Sequence, residues 1–469
     1  MKVILRISAI ILLIFIIHSC KKDKPTPPII ATTPVTDISY TTATSGGNLT
    51  DEGGATVVSQ GVCWNTKASP TITNNKTIEI GGLGSFTSSL NQLIPNTLYY
   101  VRAYAINSVG IGYGDQVTFT TTPSPPVQYD NLVYQWLVNE QLSNGLLEST
   151  TGNNFVSLYD NSMAALAFIA KGDYLKAEAI FDFFNNRVNS ELLLGTGGFA
   201  QFRDRYGFPL SGSGRWLGDN AWLLIALNNY KAKTKSDRYI NMTQSLNNWI
   251  RQLQDVDGSL WGGYDPISGV KTNKVTENML DSFNALSGYD SLHKNLLKYF
   301  YVVRWDTYNK VLVSSPGDYY MYALDNFSWG YCALENFPTS SLTFANQIFL
   351  TKHLAVTTGA LISGYCIDID RDDVFLEGTG QMVVAFQKAG LMDQANFYLK
   401  EIEKSITPGL NGTMGIPYAT NRGSGYGPDL LWQGADNLPC VSSAAWYLFG
   451  KLKFDPMAVG YAKKYPKRG

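Results

Sequence analysis

Six short phrases, each leading into an apolar run of about a dozen residues, limit what this chain can fold into more than any other feature. They read Tyr159-Asp160-Asn161-Ser162-Met163, Gly218-Asp219-Asn220-Ala221-Trp222, Thr276-Glu277-Asn278-Met279-Leu280, Leu324-Asp325-Asn326-Phe327-Ser328, Leu376-Glu377-Gly378-Thr379-Gly380 and Val441-Ser442-Ser443-Ala444-Ala445. Five of the six open with a carboxylate, and successive starts lie 59, 58, 48, 52 and about 65 residues apart. Self-similarity at such a period predicts stacked supersecondary units. A second amphipathic run precedes each start: Asp130 to Leu142, Tyr174 to Asn189, Arg238 to Gln254, Leu292 to Val303, Leu342 to Leu354 and Gln394 to Ile406. The run after each acid is apolar all round, as in Ala221-Trp222-Leu223-Leu224-Ile225-Ala226-Leu227, and the run before it is apolar along one stripe. The first kind of helix is buried and the second faces solvent. Twelve helices in six such hairpins predict an (α/α)6 toroid over residues 129–455, followed by a tail over 456–469.

Composition excludes several alternatives. A hydrophobic share of 45% against 16% charged residues leaves ample material for a core and argues against disorder. Net charge is −1 with no basic tract outside the extreme ends, so no nucleic-acid partner is expected. Cys63, Cys332, Cys366 and Cys440 are far apart and lack a C-x-x-C pair or a neighbouring His, so they read as buried small hydrophobes. The run Asp368-Ile369-Asp370-Arg371-Asp372-Asp373 has alternate acids, but it lacks the central Gly and terminal Glu of a calcium loop. Neither a metal nor a cofactor is expected, and a monomer is.

The N-terminus is read as an export signal over 1–19. Lys2 and Arg6 give the charged start, and Ala9 to Ile17 give an apolar stretch too short to span a bilayer. Ile17-His18-Ser19-Cys20 resembles a bacterial lipobox cut before Cys20, which implies lipidation at Cys20 and anchoring at the outer membrane of a bacterial envelope. His18 departs from the small or apolar residue usual there. Residues 20–29 then form a Pro-rich tether.

From 30 to 122 the chain is rich in Thr, Ser, Gly and Val, with short runs broken at Asn74-Asn75 and Gly81-Gly82. Tyr100 to Tyr104 alternates as a strand buried on one face. The phrase Leu93-Ile94-Pro95-Asn96-Thr97-Leu98-Tyr99 resembles the corner and penultimate strand of fibronectin type III domains. Val117-Thr118-Phe119-Thr120-Thr121 matches their closing strand. A small all-β sandwich is implied, serving as a spacer. A linker over 123–128 follows it.

The helical part resembles the six-hairpin glycosidase superfamily over about 129 to 455. The phrases that agree are Gly172 to Ala179, Asp255 to Tyr264, Glu377-Gly378-Thr379-Gly380-Gln381-Met382 and Gly415-Ile416-Pro417-Tyr418-Ala419. None of them is diagnostic of one enzyme family. In such toroids the inner helices all point one way, and the loops before them form a cleft at their N-termini.

Helix N-termini stabilise carboxylates there. Asp is also a good N-cap, so Asp160, Asp219 and Asp325 have a purely structural alternative. Glu is a poor cap, and Asp372 or Asp373 can cap in place of Glu377. Glu277 and Asp281 are four apart on one helix face, where like charges raise a pKa. Glycoside hydrolysis needs an acid and a base or nucleophile. The first candidate pair is Asp219 with Glu277, and the second is Asp160 with Glu377. Asp281, one turn deeper, is also a candidate. Sugar contacts are expected from Trp216, Trp261, Tyr264, Trp432 and Asp325. Arg203, Arg205 and Arg215 precede Asp219, and at the mouth they would favour an anionic polysaccharide.

The leading expectation is a lipid-anchored glycoside hydrolase acting on an extracellular or periplasmic polysaccharide or oligosaccharide. One alternative is a polysaccharide lyase on the same toroid, with Tyr319 or Tyr320 as base. Another is a non-catalytic glycan-binding lipoprotein.

Overall fold

The computed structural model describes residues 24–459 apart from 126, 316, 424 and 426–430. The export signal and Cys20 lie outside the described residues. The chain divides between Val127 and Gln128 into two compact units.

The first unit is antiparallel throughout. Its strands are β1 (Ile29–Thr36), β2 (Ala43–Asp51), β3 (Ser59–Asn65), β4 (Asn75–Lys76), β5 (Gly84–Leu90), β6 (Leu98–Ile106), β7 (Ile111–Tyr113) and β8 (Val117–Thr120). One sheet runs β1-β2-β5, and the other runs β4-β3-β6-β7 with β8 also on β6. Alternation on β6 buries Tyr99, Val101 and Ala103 against Leu49 and Leu90 of the other sheet. The Tyr99 hydroxyl accepts the Ile94 N–H at 2.9 Å and so fixes the corner leading into β6. The expected tether is already engaged at its end. Thr26 donates its N–H to Gly53 O at 2.8 Å, and the Asn107 amide donates to Thr26 O at 2.7 Å.

The second unit holds twelve α-helices among its described residues. They are α1 (Tyr129–Glu140), α2 (Leu158–Lys171), α3 (Tyr174–Asn185), α4 (Leu217–Thr234), α5 (Ile240–Gln252), α6 (Thr276–Ala285), α7 (Ser291–Tyr299), α8 (Asp325–Ala333), α9 (Ser340–Ile348), α10 (Leu376–Lys388), α11 (Met392–Glu403) and α12 (Val441–Leu452). All six acidic or seryl phrases sit at starts of even-numbered helices. Those helices touch in the cyclic order α2, α4, α6, α8, α10, α12 and back to α2, so they close a ring. The odd-numbered helices lie outside it. Burial follows the pattern of side chains: on α12 Val441 to Gly450 are all buried, whereas on α5 only Met242, Leu246, Trp249 and Ile250 are.

Two features differ from the reading of the sequence. Each outer helix packs on the inner helix that precedes it, and α1 packs on α12, so the first helix fills the outer place beside the last. The outer run from Leu342 breaks at Ile348. Leu350–Leu354 instead pairs antiparallel with Leu361–Tyr365, and the turn between them carries Gly359 at φ 67°. Val356, Thr357 and Thr358 disfavour continued helix because β-branched side chains lose rotamer freedom against the preceding turn. Cys63, Cys332, Cys366 and Cys440 are buried and form no disulfide. Among the described residues no helix is long and apolar enough to cross a membrane.

Candidate active site

The start of an α-helix leaves backbone N–H groups without intrahelical partners. In this ring the neighbouring unit supplies them. Leu158 N–H donates to Gln201 O at 2.9 Å, Leu217 N–H to Gly262 O at 2.9 Å, and Leu324 N–H to Ile367 O at 3.0 Å. Leu376 N–H donates to Tyr418 O at 2.9 Å and Val441 N–H to Ser149 O at 3.0 Å. The sixth, Thr276 N–H, reaches Ser315 Oγ at 3.2 Å. Each acceptor belongs to the loop before the next inner helix. The loops are therefore laced together around the N-terminal end of the ring.

The Asn that follows the acid in the repeated phrase tightens this lacing. Asn161 donates to Ser157 O at 2.9 Å and Leu147 O at 3.0 Å, and accepts Leu147 N–H at 2.9 Å. Asn220 does the same with Trp216 O at 2.8 Å, Phe199 O at 3.1 Å and Phe199 N–H at 2.9 Å. With these groups satisfied, the acids are not needed as caps. Asp160 and Asp219 stand at the third helical position, Glu277 and Glu377 at the second, and Asp325 at the first. Of the six N-cap residues, Ser157 alone makes a side-chain cap bond, to Asp160 N–H at 3.2 Å. The cap of α10 is Phe375, so neither Asp372 nor Asp373 caps it.

The freed acids meet in one cavity of about 620 Å³. Asp160, Asp219, Glu277, Asp281, Asp325 and Glu377 all line it, from five inner helices. Asp160, Asp281 and Glu377 are buried, while Asp219, Glu277 and Asp325 keep partial solvent access. Burial is the first cause of every shift among them. It pushes Asp160 up to about 7, helped by the charges of Glu377 and Asp219 and opposed by the Ser149 and Ser442 hydroxyls. Asp219 is pushed up to about 7 by burial against backbone N–H groups and Gln201, whose amide lies 3.4 Å from Oδ2. Glu277 is pushed up to about 7 by burial and by the charge of Asp318. Asp281 and Asp325 are raised well above the usual carboxylate range by burial and then by Glu277.

Three tryptophans from alternate inner helices close the ring's axis. The Trp222 ring on α4 lies 5.4 Å from that of Trp329 on α8 and 5.9 Å from that of Trp446 on α12, all edge to face. Trp222 and Trp329, both buried, line the cavity, and Trp446 packs behind them. A hydrogen-bonded chain runs beside them. Trp446 Nε1 donates to the Tyr159 hydroxyl at 3.0 Å, and that hydroxyl donates to Glu377 Oε1 at 2.6 Å. Gln381 Nε2 donates to the same oxygen at 3.3 Å, and Ser328 Oγ donates to Gln381 Oε1 at 3.0 Å. Nearer the surface, Phe155 and Phe202 pair at 4.8 Å, and Trp432, 43% exposed, stands 4.4 Å from Tyr418. Acids in an aromatic-walled cavity can exchange protons with a ring-shaped polyol and stack on its faces.

Of the expected sugar contacts, Trp432 and Asp325 line the cavity; Trp216, Trp261, Tyr264 and Arg215 do not. Trp216 and Arg215 form a two-residue strand that pairs with Gly263 and Tyr264. Trp261 is half-buried, with Lys274 Nζ 4.7 Å and Lys271 Nζ 5.9 Å from its ring, so its Gly-rich loop does not present it bare. The arginines are taken by carboxylates: Arg203 and Arg215 by Glu191, the latter at 2.7 Å, and Arg205 by Glu148 at 3.4 Å. Tyr319 and Tyr320 lie outside the cavity lining, and Tyr320 faces Asp370 at 3.5 Å. Cys366, Asp370 and Asp372 bring ligand atoms within 4.8 Å of one another, also outside that lining. Sequence reasoning missed Tyr159, Trp222 and Trp329. The last two follow an acidic start by one helical turn, a spacing that reads equally as core.

No protein-family model and no curated protein matches the chain. Among solved structures it is similar to a family 76 glycoside hydrolase from a bovine Bacteroides thetaiotaomicron strain, with 12% identity and a TM-score of 0.47, covering 91% of this chain and 99% of that one. It is also similar to an alpha-amylase from Clostridium perfringens, with 13% identity and a TM-score of 0.49, covering 70% and 97%. A beta-1,2-glucanase from Parabacteroides distasonis follows at 10% identity and a TM-score of 0.43, covering 93% and 71%. Likeness of this size fixes neither substrate nor activity.

Proposed function

We propose that the second unit is a glycoside hydrolase, with Glu277 as general acid and Asp219 as general base. One observation carries this: carboxyl groups from successive inner helices converge on one aromatic-walled cavity, and Asp219, Glu277 and Asp325 on three adjacent helices keep partial access. Their surroundings divide the roles. Asp219 has donors that favour its ionised form, including Gln201. Burial and the Asp318 charge both favour the protonated form of Glu277. In its protonated form Glu277 can protonate the departing glycosidic oxygen, while ionised Asp219 activates water or attacks. Glu377, held by Tyr159 and Gln381, positions its neighbours.

A lyase reading finds less support. Tyr159 lines the cavity but already donates to Glu377, and the arginines that would neutralise a uronate are engaged elsewhere. For the first unit, the two sheets and the Tyr99 corner support the fibronectin type III-like reading of a spacer. With lipidation at Cys20 it would carry the toroid on a bacterial outer membrane.

The test is turnover of a panel of polysaccharides, followed by new reducing ends and by ultraviolet absorbance of unsaturated uronates. Asp219→Asn and Glu277→Gln should each lower kcat by about a hundredfold or more. Turnover that survives both changes refutes the assignment. Reducing ends with absorbance would mean a lyase.

A further inference from the structure

We infer that the cavity accepts glycans free of acidic groups and recognises them through hydrogen-bond donors, either sugar hydroxyls or the ammonium of an amino sugar. For turnover this rests on the hydrolase reading of the same site; for recognition it rests on the lining alone. Six carboxyl groups line the cavity, and among the described residues no lysine, arginine or histidine does. Several basic side chains of the preceding loops have carboxylate partners of their own. Arg203 and Arg215 hold Glu191, Arg205 holds Glu148, and Lys274 holds Asp255 and Asp257. A uronate or sulfate entering here would find no guanidinium or ammonium to bind it, and its charge would oppose ionisation of the carboxyls it meets.

The lining also lacks donors for some of its own acceptors. Asp281 Oδ1 and Asp325 Oδ1 are buried without a hydrogen-bond partner. A buried acceptor left unsatisfied is costly, so a ligand that brings donors gains where one that brings acceptors does not. Sugar hydroxyls and ammonium groups are such donors. The tryptophans Trp222 and Trp329 offer apolar faces between the acids.

The experiment uses the full chain with Asp219→Asn and Glu277→Gln together, which leaves four of the carboxyls in place. Tryptophan fluorescence is titrated at pH 7.5 with neutral glucan and mannan oligosaccharides, chitosan oligosaccharides, and oligomers of galacturonate and alginate. The best neutral or amino-sugar ligand should bind at least tenfold more tightly than any acidic one. If the ammonium is the donor, chitosan affinity should fall with salt and drop about tenfold further on Asp325→Asn, while neutral ligands change less. An acidic oligomer that binds as tightly as the best of the others overturns the inference. So does a panel in which no neutral or amino-sugar ligand binds. Wild-type turnover of the same panel separates the two readings. A neutral glycan that binds but is never cut removes the hydrolase and leaves the selectivity. An acidic glycan that is cut in preference removes the selectivity and leaves the hydrolase.

Discussion

Replacing Asp160 with Asn should stabilise the protein most above neutral pH and do little below about pH 4. Asp160 is 7% exposed, and burial with the charges of Glu377 and Asp219 lifts its pKa from 3.8 to about 7. The folded state therefore binds this proton more tightly than the unfolded chain. Stability from this group is fully present below about 4, falls as pH rises, and is lost once pH passes about 7. Three units at about 1.4 kcal/mol each set a ceiling of about 4 kcal/mol. Solvent screening in the open cavity relieves part of it, so about 2 kcal/mol is expected at pH 8. Asn keeps the shape and cannot ionise, so it escapes that loss. For a unit of this size the gain corresponds to about 4 °C in Tm. The assay is thermal unfolding of both proteins at pH 4, 6 and 8, followed by the helical circular dichroism signal. The variant should differ little from the wild type at pH 4 and exceed it progressively up to about pH 7. A difference independent of pH, or a variant less stable at pH 8 than at pH 4 relative to wild type, would refute the reasoning. It would mean that hydrogen bonds hold Asp160 ionised.

Three further outcomes are expected. Trp432→Ala should raise KM about fivefold on a bound glycan with kcat and Tm nearly unchanged, because its ring is part of the exposed wall and its loss removes stacking of about 1 kcal/mol. Trp222→Ala should cost about 3–5 kcal/mol of stability in a urea titration, since its buried ring touches Trp329, Trp446 and Tyr159 and leaves a cavity on the ring's axis. A chain beginning at Ser124 should fold and retain turnover, because the second unit has its own core; a folded but inactive product would contradict this.

The ring was legible because its signals are local. A run such as Ala221 to Leu227 has no polar face, and helices of that kind must be buried. The acids were visible as well, since a carboxylate in a first helical turn is an unmistakable pattern. What freed them from capping was not visible. The partners are backbone carbonyls of Gln201, Gly262, Ile367, Tyr418 and Ser149, and a carbonyl has no residue identity to read. The arginines misled for a related reason. Arg203 and Arg215 look solvated in sequence, but Glu191, earlier in the same connection, reaches them. Trp261 looked bare among glycines, while the lysines that cover it come from ten and thirteen positions further on. Pairing α1 with α12 escaped notice because adjacency in sequence was taken for adjacency in space.

That last pairing bears on how the protein is made. Trp446 on α12 meets Tyr159 on α2 across 287 residues of chain. During synthesis the first five inner helices can form an arc, yet its two ends stay apolar and open until the C-terminal helix emerges. Contacts of such long range form slowly and leave sticky edges exposed in the meantime. A chain cut after Lys404 would therefore hold five of the six inner helices and still yield an arc that no later event can close.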